Sequence, residues 1–215
     1  MVKVKICGIT NFEDAEKSCD LGADYLGFIF IKDTPRVVEP DIAKKIIITL
    51  ADKAGKVGLF MDEEIDKVLG TAFYCDLDLV QLHGAESPGY CGDLKEAFQR
   101  EGRSVGIIKA LKVSDKIVGP PLEEYTEVDY FVFDTFHPET AGGTGSKFNW
   151  DVLNSVKDFI VKPFFLAGGL NPENVADAVK VVNPFGVDVS SGVESQPGRK
   201  DENLLKEFIQ NAKNA

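Results

Sequence analysis

The run Phe164-Phe165-Leu166-Ala167-Gly168-Gly169-Leu170-Asn171-Pro172-Glu173-Asn174 holds a strand, a turn and a helix start in immediate succession. Phe164–Ala167 is short and wholly apolar, which suits a buried strand, and Gly168-Gly169 ends it. Asn171-Pro172-Glu173 then reads as an N-cap, a proline in the first turn and an acidic residue against the helix dipole. This predicts a helix over Pro172–Val182. A glycine turn at such a junction brings the backbone close to whatever lies beyond the strand, and free N–H groups at a helix start suit a phosphate dianion.

Working outward, the same unit recurs along the chain. Short β-rich runs predict strands at Val2–Cys7, Tyr25–Ile31, Val57–Met61, Leu79–Leu82, Val105–Lys109, Tyr130–Asp134, Phe164–Ala167 and Val187–Ser190. Apolar residues at i, i+3, i+4 spacing predict helices between and after them, at Phe12–Leu21, Asp41–Leu50, Glu64–Phe73, Tyr90–Arg100, Trp150–Phe159, Pro172–Val182 and Asn203–Ala212. Asn11 is placed to cap the first helix. After the fifth strand Gly119-Pro120-Pro121 leaves room only for a short helix near Leu122–Tyr125. Eight strand–helix units imply a parallel sheet with right-handed crossovers, and that number favours closure over an open doubly wound sheet. The expected fold is therefore α/β, a (β/α)8 TIM barrel. No linker or low-complexity segment divides the chain, so residues 1–215 are expected to form a single domain.

Two further glycine turns follow predicted strands, Ala141-Gly142-Gly143-Thr144-Gly145 and Ser190-Ser191-Gly192. One such turn is ordinary, because helix ends and tight turns use glycine throughout proteins. Three at the positions where barrels bind phosphate point to one shared pocket for a small phosphorylated metabolite. Its candidate lining is Gly142, Gly143, Thr144, Gly145, Gly168, Gly169, Ser190, Ser191 and Gly192.

Composition narrows the partners. The formal net charge is −11, which argues against nucleic acid or an anionic membrane as partner. The same charge repels an anionic substrate at long range, so capture falls to local backbone donors and a few placed cations. It also favours, slightly, a monomer over a homodimer. No apolar run approaches a membrane span, and the N-terminus lacks the apolar core of a signal peptide, so a cytoplasmic location is expected. Cys7, Cys19, Cys75 and Cys91 are scattered with no Cys-x-x-Cys pair, and His83 and His137 are the two histidines. Neither a zinc cluster nor a disulfide framework is expected, and no metal is assigned.

In a (β/α)8 barrel the active site sits at the C-terminal ends of the strands. The polar residues there are Cys7, Arg36 in the second loop, Gln81, His83, Lys109 and Asp134. Cys7 alternates in phase with Lys3 and Lys5, opposite Val2, Val4 and Ile6, so it should face the barrel mouth. It is either a reactive thiol or a small buried filler. Asp134 ends an apolar strand and is either a general acid or a loop cap. A cysteine and an aspartate on opposite sides of a barrel mouth suit proton transfer beside a carbonyl or imine. Arg36 fits a substrate carboxylate or is a solvated surface residue. His83 contacts substrate or satisfies a neighbour. Lys5 and Lys109 are both read as inward-facing, with Asp188 able to pair with either, as a structural ion pair or beside substrate.

Taken together the motifs resemble the phosphoribosylanthranilate isomerase family. They are Lys5-Ile6-Cys7-Gly8-Ile9-Thr10, Gly27-Phe28-Ile29-Phe30 with Pro35-Arg36, Val80-Gln81-Leu82-His83-Gly84, Asp134 with Gly142-Gly143-Thr144-Gly145, Ala167-Gly168-Gly169-Leu170-Asn171-Pro172-Glu173-Asn174, Val187-Asp188-Val189-Ser190-Ser191-Gly192-Val193-Glu194 and Pro197-Gly198-Arg199-Lys200-Asp201. They run in order from about residue 2 to the C-terminus. The resemblance implies a (β/α)8 barrel that rearranges N-(5-phosphoribosyl)anthranilate in tryptophan biosynthesis without metal or organic cofactor. It implies Asp134 as general acid, Cys7 as general base, Arg36 on the anthranilate carboxylate and the glycine turns on phosphate. Gln81, His83 and Asp188 match family positions near the site.

The chain departs from the family pattern in three places. The loop Thr135–Ala141, with Phe136 and His137, is slightly long, Asn149 replaces a more usual aspartate, and Thr34 replaces a serine. A related isomerase of histidine biosynthesis would be expected to carry aspartate where this chain has Cys7. A metal-dependent sugar-phosphate epimerase would want more histidines. A non-catalytic phosphate-binding module has no use for both Cys7 and Asp134.

Overall fold

The computed structural model describes residues 1–113, 117–134, 150, 153 and 160–215. Its centre is a closed barrel of eight parallel strands. These are β1 (Lys3–Cys7), β2 (Tyr25–Ile29), β3 (Gly55–Phe60), β4 (Leu79–Leu82), β5 (Gly106–Val113), β6 (Tyr130–Asp134), β7 (Phe164–Ala167) and β8 (Gly186–Val189). Each pairs in parallel with its sequence neighbour, and β8 returns to β1, with Lys5 opposite Asp188. The expected barrel is the one observed.

Helices α1 (Phe12–Asp20), α2 (Pro40–Leu50), α3 (Ile65–Cys75), α4 (Pro88–Arg100), α5 (Val175–Val182) and α6 (Glu202–Lys213) follow strands in the expected places. Asn11 caps α1 through its side-chain oxygen, which accepts from the Asp14 N–H at 2.9 Å. Asn171 accepts from the Glu173 and Asn174 N–H groups in the same way, at 2.9 and 3.1 Å. It caps a turn that precedes α5, which starts three residues later than expected. The short helix after Pro121 is a single 3-10 turn, Leu122–Glu124. The helix expected over Trp150–Phe159, the turn at Gly142–Gly145, the loop Thr135–Ala141 and Asn149 lie outside the described residues, apart from Trp150 and Leu153.

Strand alternation sorts the core into two layers. From β1, Val4 and Ile6 face the helices, and both are wholly buried in the large outer core. Lys5 and Cys7 face the barrel interior, where Cys7 joins Val57, Leu59, Ile108, Val132 and Phe165. Lys3, in phase with them, lies at the other end of the barrel and pairs with Asp24 instead.

Lys109 departs from expectation. Strand β5 runs on to Val113 and forms a small antiparallel hairpin with Ile117–Val118, so Lys109 is mid-strand rather than at its end. Ile108 and Ala110 point inward, and Lys109 therefore points outward. It is buried under the loop after β4, donating to Leu82 O, Gly84 O and the Glu86 carboxylate, the last at 2.7 Å. The inward ion pair belongs to Lys5 alone.

Gly27 makes room for Cys7. The two are register partners on β2 and β1, and a Cβ at Gly27 would lie 2.9 Å from the Cys7 Sγ. Gly27→Ala is expected to cost about 1–3 kcal/mol through overpacking, read as a lowered urea midpoint.

Candidate active site

At the C-terminal end of the barrel a cavity of about 460 Å³ opens between the strand ends. Cys7, Gln81, His83, Asp134 and Asp188 line it from β1, β4, β6 and β8. Arg36 enters from the loop after β2. The turns at Gly168-Gly169 and Ser190-Ser191-Gly192 close the side between β7 and β8. Ile29, Leu59 and Met61 supply an apolar wall. All the candidate residues that fall among the described residues, other than Lys5 and Lys109, thus meet in one place.

Three side chains form a relay across the mouth. Gln81 Nε2 lies 3.2 Å from His83 Nδ1, and His83 Nε2 faces the Asp134 carboxylate at 3.5 Å. With the Gln81 amide donating, the imidazole proton sits on Nε2, toward Asp134. His83 is therefore an orienting neighbour of Asp134.

On the opposite side Cys7 is 5% exposed. Burial pushes its thiol above the free-thiol range, and the nearby Lys5 and Lys200 ammonium groups work against that rise. The Lys5 ammonium donates to Asp188 Oδ2 at 2.8 Å. Asp188 Oδ1, Gln81 Oε1 and Ser190 Oγ are buried without a hydrogen-bond partner among the described residues. Buried polar atoms are rarely left so, and these three belong to residues that line the cavity, where a ligand can satisfy them.

The two described glycine turns press against each other. Gly168 and Gly169 have left-handed backbones, φ 90° and 66°, which favour glycine. A Cβ on Gly192 would collide with the carbonyl oxygen of Leu170. Such close backbone approach builds a continuous wall of main chain.

Glu194 and Lys200 were not singled out as site residues in the sequence, although both lie inside its motifs. Arg36 Nε donates to Glu194 Oε1 at 2.9 Å and Nη2 to Oε2 at 2.7 Å, a bidentate pair. Lys200 Nζ donates to Glu194 Oε1 at 2.9 Å, to Cys7 O at 2.6 Å and to Ser190 O at 3.1 Å. One carboxylate therefore ties the cavity arginine to the backbone under Cys7. Burial pushes Glu194 up, but the hydrogen bonds from Arg36 and Lys200 outweigh it and hold the carboxyl below its ordinary range. Removing that charge leaves two cations uncompensated. Glu194→Gln is expected to cost about 3 kcal/mol of stability, measured by chemical denaturation.

Comparison with known proteins gives one consistent answer. The family model described as N-(5'phosphoribosyl)anthranilate (PRA) isomerase matches residues 4–211. A curated relative of that name from Geobacter metallireducens is 47% identical over 213 residues, which is 99% of this chain and 100% of the relative. The crystal structure of phosphoribosyl anthranilate isomerase from Thermotoga maritima is similar at TM-score 0.86 and 42% identity, over 100% of both chains. A phosphoribosyl anthranilate isomerase in complex with reduced 1-(o-carboxyphenylamino)-1-deoxyribulose 5-phosphate is similar at TM-score 0.83 and 39% identity, again over 100% of both chains.

Proposed function

This chain belongs to the N-(5'-phosphoribosyl)anthranilate isomerase family, and we propose that Cys7 and Asp134 are the base and the acid of its reaction. That reaction is the Amadori rearrangement of N-(5'-phosphoribosyl)anthranilate to 1-(2-carboxyphenylamino)-1-deoxy-D-ribulose 5-phosphate, an aldose–ketose isomerisation in tryptophan biosynthesis. The observation that carries the assignment of residues is that Cys7, Arg36, Asp134 and two glycine turns, drawn from most of the chain's length, line a single cavity.

The chemistry divides naturally between the two groups. Asp134 gives a proton to the furanose ring oxygen. The bond from that oxygen to the anomeric carbon breaks, and the anthranilate nitrogen lone pair closes an iminium. The iminium acidifies the neighbouring C2–H bond enough for a thiolate to act. Cys7 takes that proton, and the C–H electron pair becomes the double bond of an enolamine, neutralising the iminium. Loss of the C2 hydroxyl proton and gain of one at C1 give the ketone. The iminium is itself the electron sink, so the sequence of steps asks for no metal or organic cofactor.

The surrounding residues suit the two ends of the substrate. Glu194 occupies one edge of the Arg36 guanidinium, and the remaining N–H groups are assigned to the anthranilate carboxylate. Main chain at Gly168, Gly169, Ser190, Ser191 and Gly192 is assigned to the phosphate, with Ser190 Oγ as an added donor. Gly142, Gly143, Thr144 and Gly145 join them on the resemblance alone. Gln81 and His83 orient Asp134, and Asp188 accepts from a sugar hydroxyl. We also take the chain to act in the cytoplasm and, given its net charge of −11, to favour a monomer slightly over a homodimer.

The test uses purified protein and N-(5'-phosphoribosyl)anthranilate generated in situ, following its disappearance. Turnover is the expected result. No turnover, with phosphorylated-ligand binding retained, would overturn the isomerase reading in favour of a binding module.

A further inference from the structure

One buried charge has no part in the scheme above. Lys5 occupies an interior position in β1, where the neighbouring inward residues are Val57, Leu59, Ile108, Val132 and Phe165. Branched and aromatic side chains of that kind are the ordinary filling of a (β/α)8 barrel. The Lys5 side chain is 0% exposed, and a buried ion pair is seldom a net gain over well-packed apolar residues. The lysine therefore asks for an explanation other than stability.

Its position supplies one. Lys5 and Cys7 are two residues apart on the same face of one strand, so the ammonium lies directly below the thiol. The ammonium donates to Asp188 Oδ2 at 2.8 Å, across the β1–β8 pairing in which Lys5 and Asp188 are register partners. Its positive charge favours the Cys7 thiolate and opposes the rise that burial imposes on the thiol. Burial works against the Lys5 charge, yet Asp188 and Cys7 together hold its proton more tightly than in water. The lysine stays cationic beneath the sulfur. We propose that Lys5 is a positioning residue whose ammonium stabilises the Cys7 thiolate, with Asp188 holding that ammonium in place.

This rests on the reading of Cys7 as the base. Before proton transfer the sulfur carries a negative charge and the bound iminium a positive one. Afterwards both are neutral, and the Lys5–Asp188 pair is unchanged. Lys5 therefore acts on how much thiolate exists, not as a proton carrier. The other charged groups facing the sulfur are Asp188 from β8, Lys200 from the strand Arg199–Lys200 and Arg36 from the loop after β2. Strand β2 itself offers only Gly27. His83 and Asp134 stand across the cavity.

The experiment compares the parent, Cys7→Ala, Lys5→Met, Lys5→Gln and Lys5→Arg. Thiolate formation is followed with pH by ultraviolet absorbance, as the difference from Cys7→Ala, and kcat/KM is measured over the same range. Lys5→Met should move the thiol titration and the ascending limb of kcat/KM upward by about 1–3 pH units, the usual effect of losing a neighbouring opposite charge. Lys5→Arg should keep both near the parent position. Lys5→Gln, which keeps a donor for Asp188 but carries no charge, should also move the thiol titration upward, which tests the idea even if Lys5→Met does not fold. A titration unmoved in Lys5→Met, or unmoved in Lys5→Gln where Lys5→Met is unfolded, overturns the proposal. If Cys7→Ala turns over like the parent, the base assignment itself has failed. If Cys7→Ala is inactive and the Lys5→Met profiles match the parent's, only the role of Lys5 has failed.

Discussion

Cys7→Ala is expected to lower kcat by about 10²–10⁴-fold, the usual contribution of a positioned acid or base, while a product analogue binds within a few-fold of the parent. The substitution removes only the sulfur from a residue whose Cα and backbone are fixed by β1–β2 pairing and by Lys200 on its carbonyl. Alanine at this inward position leaves a small gap beside Gly27 rather than a new contact. Arg36 and the glycine turns keep their places, because none of them depends on the thiol. The loss therefore falls on the proton-transfer step. Single-turnover kinetics with a binding measurement on the same sample checks it, and loss of affinity in parallel with kcat would mean that Cys7 binds rather than reacts.

Asp134→Asn should have an effect of similar size, about 10²–10⁴-fold in kcat, for the opposite step. Asparagine matches the carboxylate in shape and can still accept from His83 Nε2, which faces Asp134 at 3.5 Å. It cannot deliver a proton to the ring oxygen. The lesion is thus confined to ring opening, and a substrate analogue that is already open-chain should escape most of the penalty. The comparison of closed and open-chain substrates on this variant is the discriminating measurement. Equal loss on both would move Asp134 from acid to structural support.

These two side chains were legible in the sequence because each depends on a local pattern. Cys7 falls in phase with Lys5 and opposite Val4 and Ile6, so strand alternation aims it at the barrel mouth, and Asp134 reaches the mouth because it ends an apolar strand. The same logic misplaced Lys109, because it relied on where the strand stops. Residues Leu111–Val113 extend β5, and one residue of parity decides between the interior and the helix layer. The turn at Gly168-Gly169 was legible, since the glycines, Asn171 and Pro172 are adjacent. The start of α5 was shifted by three residues, because Asn171 caps a preliminary turn.

The sequence by itself determined what repeats and what is local, namely eight parallel strands, inward and outward faces, glycine turns and helix caps. Hydrophobic period and backbone freedom act over a few residues and need no partner to be read. The tertiary structure alone decided which distant charges meet. Barrel closure sets β8 against β1, and so Lys5 finds Asp188 across a separation of 183 residues. Glu194 reaches Arg36 across 158, and Lys200 reaches the Cys7 carbonyl across 193. Nothing in the local pattern of a lysine or a glutamate names its partner. That pairing is fixed only when a strand order and register bring two backbones to within a side chain's length of each other.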